Sequence, residues 1–110
     1  SRVREPHSRP SRPSPTPAAL AQAERMLDKG QQFLALGNVV IAREYFARAV
    51  ELGLPIAVLK LGETHDQNEF GSFKVLGLRH EPAEARRWYE RAAELGVPEA
   101  EARLRRLGSR

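Results

Sequence analysis

Four polar side chains stand close enough together to suggest chemistry: Glu63, His65, Asp66 and, beyond a polar stretch, His80. Carboxylates beside an imidazole are the residue types of acid–base catalysis and of metal ligation. The spacing argues against both. Glu63 and Asp66 lie three residues apart and share one face of a helix, while His65 falls off that face. No second histidine follows at i+3 or i+4, and zinc needs three or four protein ligands. His65 is therefore expected to pack or to pin a loop. Ser72, in EFGSFK, lacks the G-x-S-x-G elbow that presents a nucleophile, and there is no phosphate-cradling GK[ST] loop. Cysteine is absent, which removes thiolate nucleophiles, thiolate metal sites and disulfides together. The sequence predicts a chain that is not an enzyme, with no catalytic, cofactor-binding or metal-ligating residue.

The elements that would position these residues are helical. From Ala18, apolar or small residues recur every three to four positions at Leu20, Ala23, Met26/Leu27, Gly30 and Phe33/Leu34. Gly37-Asn38 interrupts the pattern, and Asn38 is a good N-cap for a second helix with Ala42, Tyr45/Phe46 and Ala49 inward. Gly53 ends that helix and Pro55 opens a third, predicted to run to about Asp66. Asp66–His80 reads as a loop containing Phe70, Gly71, Ser72 and Gly77. A fourth helix starts near Pro82 with Ala85, Trp88/Tyr89 and Ala92, and stops at Gly96. A fifth spans about Pro98–Leu107. At helical spacing among alanines, Trp88-Tyr89 is expected to be core rather than a platform for stacked bases.

The stop-and-restart device occurs twice. RAVELGLPIA at Arg48–Ala57 and RAAELGVPEA at Arg91–Ala100 agree at seven of ten positions, 43 residues apart. The match extends over Ala42–Ala57 and Ala85–Ala100, aromatics aligning with aromatics and alanines with alanines. Self-similarity at this period predicts an all-α architecture of stacked helix pairs. Gly30, Phe33, Ala42, Phe46 and Ala49 in the first unit resemble the small and aromatic positions of the tetratricopeptide repeat, and Gly53 and Gly62 are read with them as repeat core. In the second, GLRHEPAEARRWYERAAELG at Gly77–Gly96 is similar to Sel-one-like repeats, with Ala85, Trp88, Tyr89, Ala92, Ala93 and Gly96 matching. Glu81 stands where those repeats usually carry Asp, and Glu84 where they carry Lys. The resemblance covers most of residues 24–108. It implies a right-handed α-solenoid of antiparallel helix pairs, about two repeats plus a C-terminal capping helix.

Residues 1–17, SRVREPHSRPSRPSPTP, differ in kind. They hold five prolines, one aliphatic residue and no aromatic, too little apolar surface to offset the entropy of ordering. They are read as a disordered Arg/Pro-rich linker ahead of a helical domain at 18–110. Pro10 and Pro13 form a PxxP, a pattern common by chance. Arg2, Arg4, Arg9 and Arg12 carry most of the net charge of +4, so the remainder is nearly neutral. Anionic-surface or nucleic-acid binding through that tail is a further alternative, ranked below the others because the body of the chain is nearly neutral. Arg86, Arg87, Arg91, Arg103, Arg105 and Arg106 alternate with glutamates and read as a solvated face.

The resemblance implies a non-catalytic adaptor or scaffold, known in bacteria and eukaryotes, that binds a peptide or partner helix on the concave face. That face would be lined by Glu24, Leu27, Gln31, Leu34, Leu59, Glu63, Asp66 and Gln67. The partner is expected to be another protein. The alternative is a self-associating or capping domain, since two repeats are fewer than such stacks usually need. The absence of a long apolar run predicts no membrane insertion in this segment. A chain beginning at Ser1 is compatible with a fragment or processed product, and the sequence leaves its compartment open between the cytoplasmic and periplasmic face of a larger protein, membrane-anchored or not.

Overall fold

Helix formation follows the caps written into the sequence. The computed structural model describes residues 14–72 and 78–108, and within them the fold is all-α. The helices are α1 (Pro17–Ala35), α2 (Val39–Glu51), α3 (Pro55–Glu63), α4 (Pro82–Glu94) and α5 (Glu99–Gly108), with a short 3-10 turn at Gln67–Ser72. Thr16 Oγ1 accepts from the Ala19 N–H at 3.0 Å, and Asn38 Oδ1 from the Ile41 N–H at 3.1 Å. Each side chain thereby satisfies one of the orphan donors of a first turn. Proline stands at the start of α1, α3 and α4, where its missing N–H costs nothing. Thr16 and Pro17 thus belong to α1, two residues earlier than the boundary at 18. Residues 1–13 of the expected linker, its PxxP and the 73–77 part of the expected loop lie outside the described residues.

The helices end alike. Gly37, Gly53 and Gly96 have φ of 85°, 99° and 89°. After each, the next N–H returns to a carbonyl five residues back: Asn38 to Phe33 at 2.9 Å, Leu54 to Ala49 at 3.1 Å and Val97 to Ala92 at 3.0 Å. This pairing, with the glycine N–H bonding three residues back, is the Schellman stop. Nothing lies within 4 Å of a Cβ added at Gly96, so Gly96→Ala isolates the backbone cost. A loss of about 1 kcal/mol is expected in urea unfolding. Gly53→Ala should cost more, because the new Cβ would also sit 3.1 Å from Pro15.

Each helix packs chiefly on its sequence neighbours, most extensively α1 on α2 and α3 on α4. Gly30 lies under Phe46, where a Cβ would fall 2.5 Å from the ring. Leu34 clusters with Val39 and Ala42 nearer the connection, and Ala23 with Ala49 and Ala57 farther from it. Positions descending α1 thus meet positions ascending α2, which makes the pair antiparallel. Gly62 lies under Tyr89 in the same way, with a Cβ 2.7 Å from the ring. Ala42, Phe46, Ala49, Ala85, Tyr89 and Ala92 are fully buried, as the pattern required, and Trp88 is half-buried. Phe33, also half-buried, stacks on Tyr45 with centroids 5.6 Å apart.

The region after α3 also differs from expectation. α3 stops at Glu63 rather than Asp66, and the following residues form a 3-10 turn rather than an open loop. Asp66 explains the second change: its Oδ1 accepts the Asn68 N–H at 2.9 Å and its carbonyl accepts the Glu69 N–H at 2.9 Å. An Asx side chain that takes a backbone donor two residues on starts a turn.

Candidate functional site

Glu63, Thr64 and Asp66 are the buried polar or charged residues among those described, and they occupy one stretch at the end of α3. A buried polar group needs a partner to offset its lost hydration. Each of the four residues Glu63–Asp66 finds one on a different part of the molecule.

Glu63 bonds to α5. Arg103 donates to Glu63 Oε2 from Nη2 at 2.8 Å and from Nε at 3.2 Å, while Lys60 Nζ stands 3.5 Å from Oε1. The chain of charges continues through Glu69, which accepts from Arg106 at 2.6 Å and lies 3.5 Å from Arg103 Nε. Burial lowers the proton affinity of Arg103, but the bonds and charge of Glu63, with the charge of Glu69, outweigh it and hold the group above its ordinary value. Thr64 bonds to α2. Arg43 donates from Nε to Thr64 Oγ1 at 2.9 Å and from Nη2 to its carbonyl at 2.7 Å, while the hydroxyl donates to the Leu61 carbonyl at 2.7 Å.

His65 bonds to the residue ahead of α4. Its Nδ1 lies 2.6 Å from Glu81 Oε1, and its carbonyl accepts the Glu81 N–H at 2.8 Å. A carboxylate can only accept, so Nδ1 carries the proton. Arg43 Nη2, 3.3 Å from the same nitrogen, is then a neighbour and not a donor to it. His80 works the other way: its Nδ1 accepts the Gln67 N–H at 3.0 Å. The two histidines therefore pin both ends of the 67–80 connection. Asp66 bonds to α4, accepting from the Tyr89 hydroxyl at 2.6 Å through Oδ2.

The bond from His65 holds the Glu81 carboxyl below its usual range, against an opposing burial effect; the charges of His65, Arg43 and Arg79 add to the lowering. A carboxylate with a depressed folded-state pKa contributes stability above the usual glutamate value of about 4.3 and loses it as pH falls through the depressed value. Glu81→Gln should therefore flatten the acid limb of stability against pH. Its unfolding curve should approach the wild type's below pH about 4.

This geometry corrects several expectations. Glu63 and Asp66 do not share a face, because α3 ends between them; one reaches α5 and the other α4. Of the eight residues expected on the concave face, Leu34, Leu59, Glu63 and Asp66 are buried and cannot line a surface. Glu24, Gln31 and Gln67 are exposed and Leu27 is half-buried. Arg103 and Arg106 are not a merely solvated face, since both are bonded to carboxylates of α3 and the 3-10 turn. Arg43, Thr64 and Arg103 escaped sequence reading. Their partners lie 21 and 40 residues away, beyond any local periodicity.

Among the described residues no group of three His, Cys, Asp or Glu is placed to hold a metal ion, and no helix is long and apolar enough to cross a membrane. No family model, curated protein or solved structure matches this chain.

Proposed function

We propose that this chain is a non-catalytic protein–protein interaction module, arranged as a right-handed α-solenoid of two tetratricopeptide- or Sel-one-like helix pairs capped by α5. The matched settings of Gly30 under Phe46 and Gly62 under Tyr89 favour that arrangement, as do the matched stops at Gly53 and Gly96. The observation that carries the functional reading is how the polar groups are divided. Those at the end of α3 are engaged in bonds between helices. α1 keeps Glu24 and Gln31 exposed one helical repeat apart, beside Leu27, which is half-buried against the core. A mixed row of this kind suits a peptide or a partner helix.

The test uses the full chain to capture its partner, followed by titration with the Glu24→Lys/Gln31→Lys variant. Both positions are exposed, so the melting transition should not move. Affinity is expected to fall at least about tenfold, roughly 1.4 kcal/mol. Unchanged affinity with an intact fold would remove this face from the account.

A further inference from the structure

α1 buries Ala23, Gly30 and Leu34 along one face and turns the opposite face to solvent. That outer face holds every charged residue of the helix, Glu24, Arg25, Asp28 and Lys29, all of them exposed. Among the described residues none of the four enters an ion pair, and the opposite charges of Arg25 and Asp28, one turn apart, are not joined. Their order along the helix is unfavourable. Glu24 and Asp28 carry like charge at i,i+4, and so do Arg25 and Lys29, a spacing at which like charges repel.

The same order becomes favourable when the face meets a copy of itself running the other way. A two-fold axis level with the Met26–Leu27 bond sets Glu24 opposite Lys29 and Arg25 opposite Asp28, and each pair recurs by symmetry. All four charges then face the opposite sign. A parallel copy in register would set each against its own kind. The rest of the outer face obeys the same symmetry. Ala18 falls opposite Ala35 and Ala21 opposite Gln32, so a small side chain stands in every pair and the backbones can approach. At each end Leu36 falls beside Pro17 of the second copy. Leu36 is 78 % exposed, the most exposed of the large apolar side chains described, and this contact covers it.

We infer that the outer face of α1 is a self-recognition surface, through which two copies of this chain pair antiparallel about a two-fold axis. Charges arranged in this way fix orientation and register more than they add affinity. The face runs for roughly 25 Å of helix and is mostly polar, so the pairing is reversible and sensitive to salt. Glu24 lies at the edge of this face and also in the α1 surface proposed above for a partner. Pairing therefore covers part of that surface and competes with the partner. The inference does not rest on that reading, since it needs only the chain itself.

Sedimentation equilibrium of the full chain alone, at millimolar concentration and low salt, should show a monomer–dimer equilibrium that weakens as salt is added. Glu24→Lys/Asp28→Lys makes the face wholly positive, and Arg25→Glu/Lys29→Glu makes it wholly negative. Each variant should self-associate at least about tenfold more weakly than the wild type. Mixed in equal amounts, the two should pair with each other at least as tightly as the wild type does with itself. A monomeric wild type, variants that self-associate as the wild type does, or a mixture no tighter than its components would each overturn the inference. Orientation is read without touching the charges. The chain has no cysteine, so on oxidation Ala21→Cys should link to Gln32→Cys faster than either variant links to itself. Faster self-linking of Ala21→Cys would mean a parallel pair and overturn the two-fold arrangement. All six positions are exposed, and the cysteine pair carries the test even if a charge variant melts early.

Discussion

Gly62→Ala is expected to be among the most damaging single substitutions in this chain. The added Cβ would fall 2.7 Å from two atoms of the Tyr89 ring and 3.2 Å from Trp88 Cβ. Tyr89 cannot retreat easily, because it is fully buried and its hydroxyl is tied to Asp66 at 2.6 Å. Overpacking of this kind costs about 1–3 kcal/mol, and loss of a buried bond to a charged group another 1.5–3 or so. Alanine's better helix propensity returns only about 1 kcal/mol. The net loss should be about 3 kcal/mol, which for a domain of this size lowers Tm by on the order of 15 °C. Gly30→Ala is the comparison. Its Cβ would fall 2.5 Å from the Phe46 ring, slightly closer. Phe46 has no hydroxyl holding it, so the ring can tilt, and the cost should be smaller. If Gly30→Ala proves worse in calorimetric melting, the tether at Tyr89 is not what makes α3–α4 rigid.

Tyr89→Phe is the second large effect. The substitution keeps the ring and removes one donor from a carboxylate with no solvent exposure, leaving the Asn68 N–H as the other bond to Asp66. A loss of about 2–3 kcal/mol is expected at neutral pH. The pH dependence gives an independent signature. Burial, then the bond to Asp66 and the nearby carboxylate charges, push the Tyr89 phenol far above its usual range. A group with a raised folded-state pKa contributes its full stability below the unfolded value, about 10 for tyrosine. Above that pH the unfolded chain releases the proton and the folded chain does not. The wild-type advantage over Tyr89→Phe should therefore shrink by up to about 1.4 kcal/mol per pH unit above pH 10. A constant difference through that range, followed by urea unfolding, would contradict the buried bond.

Much of the scaffold was legible because it rests on local chemistry. A helix stop needs a residue that tolerates positive φ, and Gly37, Gly53 and Gly96 stand at those stops. Asn38 and Pro55 announce their helix starts in the same local way. The close approach of Gly30 to Phe46 shows in the sequence as small residues recurring opposite rings. The end of α3 was not legible, because nothing in GETHD shows that a threonine hydroxyl will receive an arginine from α2. Nor does the helical pattern of α5 distinguish Arg103, directed inward to Glu63, from Arg105, which is exposed. Both differ only in which way the helix lies on α4. Four residues that looked like a binding row proved buried for the same reason: periodicity gives a face, but not what covers it.

The carboxylates at the end of α3 join helices, Glu63 being bonded to Arg103 of α5 and Asp66 to Tyr89 of α4. A double-mutant cycle on Glu63 and Arg103, read by urea unfolding, tests it most directly. With Glu63 at 6 % exposure, Arg103→Ala alone should cost about 3 kcal/mol, because it leaves a buried carboxylate short of its main partner. Adding Glu63→Ala to that background should cost much less than it does in the wild type, giving a coupling of at least about 1 kcal/mol. Coupling within about 0.5 kcal/mol of zero, with each single variant near wild-type stability, would mean that Glu63 is not bound to α5 and would return it to the list of groups a partner could reach.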